Sequence, residues 1–258
     1  MRRLIVLCLS IVLFGISPAK ASEHAYPLES VKNNLRDKAS LQRGAQVYMN
    51  HCLGCHSLEY TRYIQLGEYL GIQGEDGKVL EKLVQDNLNF VTDKVTDKVI
   101  NSMHTKDAAK WFGTPPPDLT LVTRVRGKDW VYTYLKSFYV DETRPWGVNN
   151  AVFPDVAMPH VLLDLQGQQE GVFKTVYVTE EGQRIGKPVL EGLKVSTQGE
   201  LDPKAYDATM TDLVNFLEFI GEPVKEKRTR LGVFVVLFLV VLTVFLYALK
   251  REFWKDVH

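Results

Sequence analysis

The amino-acid sequence predicts a mainly α protein: one exported domain with loop and β-hairpin insertions, followed by a single C-terminal transmembrane helix. Three observations predict it. Residues 39–50 and 208–220 carry apolar side chains at helical spacing. Residues 171–195 alternate apolar and polar side chains around Glu181-Gly182, the pattern of a β-hairpin. Leu231 to Leu249 is a run of 19 residues without a charge, fifteen of them Leu, Val or Phe.

At the N-terminus, Arg2 and Arg3 precede a short apolar run from Leu4 to Ile16. Ser17 and Pro18 end that run, and Ala19-Lys20-Ala21 offers a small-x-small cleavage site. Residues 1–21 are therefore expected to be a signal peptide, with the mature chain starting at Ser22. A first transmembrane helix is the alternative, but the run is short for one. Residues 22–224 then form one exported domain of ordinary size. The whole chain has 31 Lys plus Arg and 31 Asp plus Glu. Residues 22–224 hold 21 basic and 28 acidic residues, a balance of −7. A solvated acidic surface explains this blandly; steering of a basic partner explains it more sharply. No nucleic-acid partner is expected of such a domain.

The chain has three cysteines, and Cys8 falls within the expected signal peptide. The other two lie in Cys52-Leu53-Gly54-Cys55-His56. This is the spacing of covalent haem c attachment. Two thiols three residues apart can reach two vinyl groups of one porphyrin, and the following imidazole becomes an iron ligand. A zinc site would need a second ligand pair, which the cysteine count denies. A thioredoxin-like pair would need a βαβ setting, and a disulfide over so short a loop would stabilise little. One haem c is expected, held by Cys52 and Cys55 with His56 on the iron.

The two predicted helices suit that motif. Leu41, Ala45, Val47 and Tyr48 are apolar in the helix leading to it, and Gly44 sits mid-helix, where it costs stability. In a c-type cytochrome domain a small residue there lets the terminal helix cross closely. That partner is residues 208–220, with Leu213, Phe216, Leu217 and Ile220 on one face and Gly221 and Pro223 ending it.

A haem of this type takes Met or His as its other ligand. Met49 is on the motif's own helix and Met210 on the terminal one, which leaves Met103 and Met158 in loops. Met158 lies between Pro154 and Pro159, and prolines restrict the backbone that presents it. His160, two residues on, stays open as a competitor; His51 adjoins Cys52 and is placed wrongly for the opposite face.

The C-terminal run would reach ~28 Å as a helix, close to a bilayer's hydrocarbon core. Residues 225–230 read as a juxtamembrane linker, 231–249 as the membrane span and 250–258 as a tail. Lys225, Lys227, Arg228 and Arg230 precede the span while Lys250, Arg251 and Lys255 follow it, so charge alone gives no orientation. The signal peptide gives one, placing the domain outside the cytoplasm and the tail inside.

The ordered set of motifs resembles the cytochrome c1 family, the haem subunits of the ubiquinol–cytochrome c oxidoreductase (bc1 complex). The resemblance rests on Arg43-Gly44-x-Gln46-Val47-Tyr48, the Cys52-to-Ser57 segment, Pro116-Pro117-Asp118-Leu119, Arg124-Val-Arg126, Phe153-Pro-Asp-Val-Ala-Met158-Pro and the C-terminal anchor. Trp111 to Thr114 and Asp141 to Pro145 are similar to its proteobacterial branch. The resemblance implies Met158 as axial ligand and Arg126 as partner of a haem propionate. It also implies that Pro115–Pro117 is a strand packed on the haem, with Pro117 close to it and a carbonyl there accepting the His56 ring proton. It implies a single-pass protein of the bacterial inner membrane, with the haem domain in the periplasm. The expected partners are membrane lipid, cytochrome b and the Rieske iron–sulfur protein in a dimeric complex, with a cytochrome c, soluble or membrane-bound, as electron acceptor. No bond-making catalytic site is expected. A haem subunit of a terminal oxidase, or a peroxidase or sensor with an open iron position, are the rival functions. Residues 171–195 have no role in this resemblance, and the disulfide of some relatives has no cysteines here.

Overall fold

The computed structural model describes residues 26–180 and 183–256. The expected signal peptide and the hairpin turn at Glu181-Gly182 lie outside the described residues. The chain runs α1 (Lys38–His51), β1 (Leu58–Arg62), α2 (Tyr63–Leu70), α3 (Glu81–Leu88), β2 (Lys98–Val99), α4 (Thr105–Phe112), α5 (Val122–Arg126), α6 (Lys128–Lys136), β3 (Phe138–Val140) and β4 (Val148–Asn150). Then follow α7 (Leu163–Gln166), β5 (Gly167–Glu180), β6 (Gln183–Gln198), α8 (Pro203–Gly221) and α9 (Lys225–Phe253). Among the described residues helix dominates, and the strands form three separate antiparallel pairs, β1–β2, β3–β4 and β5–β6.

Each of the two crossing helices starts at an aspartate cap. Asp37 accepts Ser40 N at 3.1 Å, and Asp202 accepts Ala205 N at 2.8 Å with Pro203 following it. That cap starts α8 five residues before the apolar periodicity does. Its first turn, Pro203 to Tyr206, buries Tyr206 alone, so the Asp-Pro signal marks the start better than periodicity does. Leu41, Ala45 and Tyr48 of α1 are buried against Leu213, Phe216 and Leu217 of α8. Tyr48 and Phe216 meet with ring centroids 5.8 Å apart. The approach is closest at Gly44, where an added Cβ would lie 2.1 Å from the Asp212 carbonyl oxygen. Beside it Arg43 grips the Asp212 carboxylate with two donors, at 2.5 and 3.0 Å.

The hairpin is longer than its alternation suggests. Pairing runs from Gly167 opposite Gln198 to Glu180 opposite Gln183, with irregularities after Gln168 and after Val172. Those irregularities shift the side-chain period, which hides the base of the hairpin from a pattern of strict alternation. At that base Gln169 donates to the carbonyls of Phe138 and Lys136, tying the arm to the domain.

Two expectations are corrected. Pro115–Pro117 is extended but pairs in no ladder, because proline has no N–H to give one. Residues 225–230 are the first turns of α9 and not a separate linker. Pro223 stops α8, and the Lys-Glu-Lys-Arg sequence that follows is a good helix start. Lys225 and Arg228 reach back to Glu218 and Glu222, and Arg36 reaches Glu226. α9 has 29 residues, none of them buried within the protein, and is long and apolar enough to cross a membrane.

Gly44→Ala is expected to destabilise the domain by about 1–3 kcal/mol, because the new methyl collides with backbone and not with a flexible side chain. Thermal denaturation of the detergent-solubilised protein checks this, and an unchanged midpoint would contradict the close-crossing account.

Candidate functional site

The Cys52-to-His56 segment winds off the last turn of α1. Cys52 N donates to Tyr48 O at 2.9 Å, and Cys55 N and His56 N both donate to Cys52 O, at 3.0 and 2.8 Å. Tyr48 holds the far side of this turn by donating its hydroxyl to His56 O at 2.6 Å. Asn101 donates its side-chain amide to Cys55 O at 2.6 Å. The turn is thus fixed from the helix behind it and the loop beside it.

Both thiols, the His56 ring and Met158 line one cavity of about 270 Å³. Its walls are mostly apolar, with Pro115–Pro117, Leu119, Val131, Leu213 and Leu217 among them. Burial pushes the Cys52 thiol up to about 12. Burial also holds the His56 imidazole below its ordinary value, with the Pro117 carbonyl pulling the other way. His56 Nδ1 lies 2.7 Å from Pro117 O. The carbonyl can only accept, so Nδ1 carries the proton and Nε2 keeps a free lone pair.

Met158 is presented by a loop tied down along its length. Asn150, fully buried, accepts from Val152 N and Phe153 N at 3.0 and 3.1 Å and donates to Tyr134 O at 2.8 Å. Asn149 accepts from Asp155 N at 2.9 Å. Asp155 has a φ of +62°, which a short polar side chain tolerates better than most. Arg144 holds both its carboxylate and its carbonyl, each at 2.9 Å. The Met158 sulfur accepts the Tyr134 hydroxyl at 3.3 Å.

Of the sequence-predicted site residues, Cys52, Cys55, His56, Pro117, Arg126 and Met158 all line this cavity. Arg126 is exposed, with its guanidinium 5.0 Å from the Trp130 ring and 5.8 Å from the Phe153 ring. The competitor His160 is not brought in. Its ring lies flat on Phe138, with centroids 4.9 Å apart, and burial lowers its pKa to about 4. Three residues escaped sequence reasoning: Trp130, Tyr134 and Asn150. Trp130, Tyr134 and Phe138 recur every four residues, which marks a helix-like stripe but reads as core. Asn150, the last residue of β4, carries no sequence signal of its role.

A model of the Cytochrome C1 family matches residues 29–257. The chain is 49% identical to cytochrome c1 of Allochromatium vinosum over the full length of both proteins. The chain belongs to the cytochrome c1 family. It is also 28% identical to cytochrome c1 of Rhodospirillum rubrum, over 86% of this chain and 83% of that one. A protein of Nitrosomonas europaea named ammonia monooxygenase gamma subunit is 34% identical over 99% of this chain and its own full length. Family membership implies a covalently bound haem c, a membrane anchor and a place in electron transport as the haem subunit of a bc1 complex. The residues present fit that group: two thiols, an imidazole with Nε2 free and a thioether converge on one mainly apolar cavity.

Cys52→Ser and Cys55→Ser are each expected to abolish normal two-point haem attachment and to lower the amount of assembled protein. Haem-stained gels of the two variants check this; undiminished stain in both would remove these cysteines from the site.

Proposed function

We propose that this chain carries electrons one at a time from the Rieske iron–sulfur protein to a cytochrome c, through one haem held by Cys52 and Cys55. His56 and Met158 are its axial ligands in this reading. The observation that carries it is the convergence of the Cys-x-x-Cys-His turn and Met158 on one cavity while His160 packs elsewhere. The bound group supplies one-electron redox chemistry; the protein makes and breaks no substrate bond. The chain's own residues hold and tune. Pro117 O fixes the His56 tautomer and raises the basicity of the ligating nitrogen. Arg126 offers a guanidinium to a propionate carboxylate. The apolar walls keep water away, which favours the less charged, reduced state of the site.

In this reading residues 22–224 are periplasmic, 231–249 span the inner membrane, and 250–258 are cytoplasmic. Cytochrome b packs on α9 and lipid surrounds the rest, within a dimeric complex. The acidic balance of the exported domain steers a basic soluble cytochrome to it. Asp155, the nearest acidic residue in sequence to Met158, is less suited to this than its position suggests, because Arg144 already neutralises it. Glu142 is exposed and without an ion-pair partner among the described residues, and is the better candidate.

Met158→Leu is expected to leave the haem covalently attached, to remove the sulfur-to-iron charge-transfer band of the oxidised protein and to lower the midpoint potential. A potential and band identical to the parent would exclude Met158 as ligand. Electron-transfer rates to a basic soluble cytochrome are expected to fall as added salt shortens the Debye length, which is ~10 Å at 0.1 M. A bimolecular rate flat across that range sinks the steering proposal and leaves the haem site standing.

A further inference from the structure

We infer that Tyr134 is the positioning residue of the Met158 thioether, setting both where the sulfur sits and how strongly it donates to iron. This rests on Met158 being an axial ligand. The Tyr134 hydroxyl lies 3.3 Å from the Met158 sulfur, and no other hydrogen bond of that hydroxyl occurs among the described residues. A methionine side chain is flexible and adopts many rotamers. A directed O–H contact selects one of them.

The hydroxyl itself is aimed by a ring that cannot swing. Tyr134 stacks on Trp130 with centroids 5.0 Å apart and planes at 11°. On its other side Phe138 meets it edge-on at 5.3 Å and 73°. Its backbone is tied to the ligand's own loop: Tyr134 O accepts from Asn150, whose other side-chain atom holds Val152 N and Phe153 N. One residue therefore registers the loop through its carbonyl and the ligand atom through its hydroxyl.

A thioether sulfur has two lone pairs. One can bind a metal while the other accepts the phenol proton. That acceptance draws electron density from sulfur and makes it a weaker donor to ferric iron. The reduced state is then relatively favoured, so the hydrogen bond raises the potential. Hydrogen bonds to ligating sulfurs act on redox sites in this direction generally.

The experiment is redox titration of the detergent-solubilised complex carrying Tyr134→Phe, which keeps the ring and its stacking and removes only the hydroxyl. Covalent haem and the charge-transfer band are expected to remain. The midpoint potential is expected to fall by at least a threefold change in the one-electron equilibrium, about 28 mV at 59 mV per tenfold. Tyr132→Phe, a neighbouring tyrosine whose hydroxyl meets Lys136 at 3.4 Å, is expected to leave it unmoved. A parental potential in Tyr134→Phe, or an equal shift in Tyr132→Phe, overturns the inference. Met158→Leu separates this from the ligand reading: loss of the band there with no shift in Tyr134→Phe sinks the tyrosine alone, while a parental band and potential there sinks both.

Discussion

The backbone approach of α1 and α8 at Gly44 is the constraint on which the rest depends. The Cys-x-x-Cys-His turn continues directly from α1, so it is placed only as well as the end of that helix is placed. Gly44 lies eight residues before Cys52, about 12 Å along the axis. At that distance any tilt of the helix displaces both thiols together. Removing the side chain at one position lets α8 lie against α1 backbone, and the Arg43–Asp212 pair braces the contact from outside. Tyr48 then serves both sides, packing on Phe216 and bonding to His56 O. Such crossings cost helix propensity at glycine; the burial of Leu41, Tyr48, Leu213 and Phe216 offsets that cost several times over.

The other half of the site is built differently. No helix carries Met158. Its loop is fixed by side-chain amides and a guanidinium, which satisfy backbone groups that secondary structure would otherwise satisfy. Side-chain hydrogen bonds of this kind, several of them centred on the buried Asn150, hold a loop in one arrangement. In the reading proposed above, such a frame would hold the Met158 sulfur in place through many cycles of oxidation and reduction. The aromatic ladder of Trp130, Tyr134 and Phe138 adds a second frame, with Arg126 over one end and His160 flat on the other.

The join between domain and anchor concentrates charge. Glu222 sits between Arg124 and Arg228, Glu218 takes Lys225, and Glu226 takes Arg36. Exposed pairs of this kind contribute little individually. Their value here is geometric: Lys225 and Arg228 of α9 pair with Glu218 and Glu222 at the end of α8, and Glu226 pairs with Arg36, so the first turns of α9 are tied to the domain at three points.

Much of this was legible in the sequence, for definable reasons. The attachment turn, the anchor and the two crossing helices are local: five residues, one apolar run and two periodic stretches each specify themselves. Proline on either side of Met158 marked a restrained loop. What local pattern could not decide was which histidine or methionine faces the cavity. Met158 and His160 are two residues apart in the same loop, and only the packing of Phe138 against the imidazole turns one away while the other turns in. The Tyr134 contact, the Asn150 network and the neutralised Asp155 were hidden for the same reason. Each joins residues that are far apart or oppositely placed in the chain, and their chemistry exists only once α6, the β3–β4 pair and the Met158 loop are brought together. Sequence determined what the cavity would be made from; tertiary packing decided which atoms point into it.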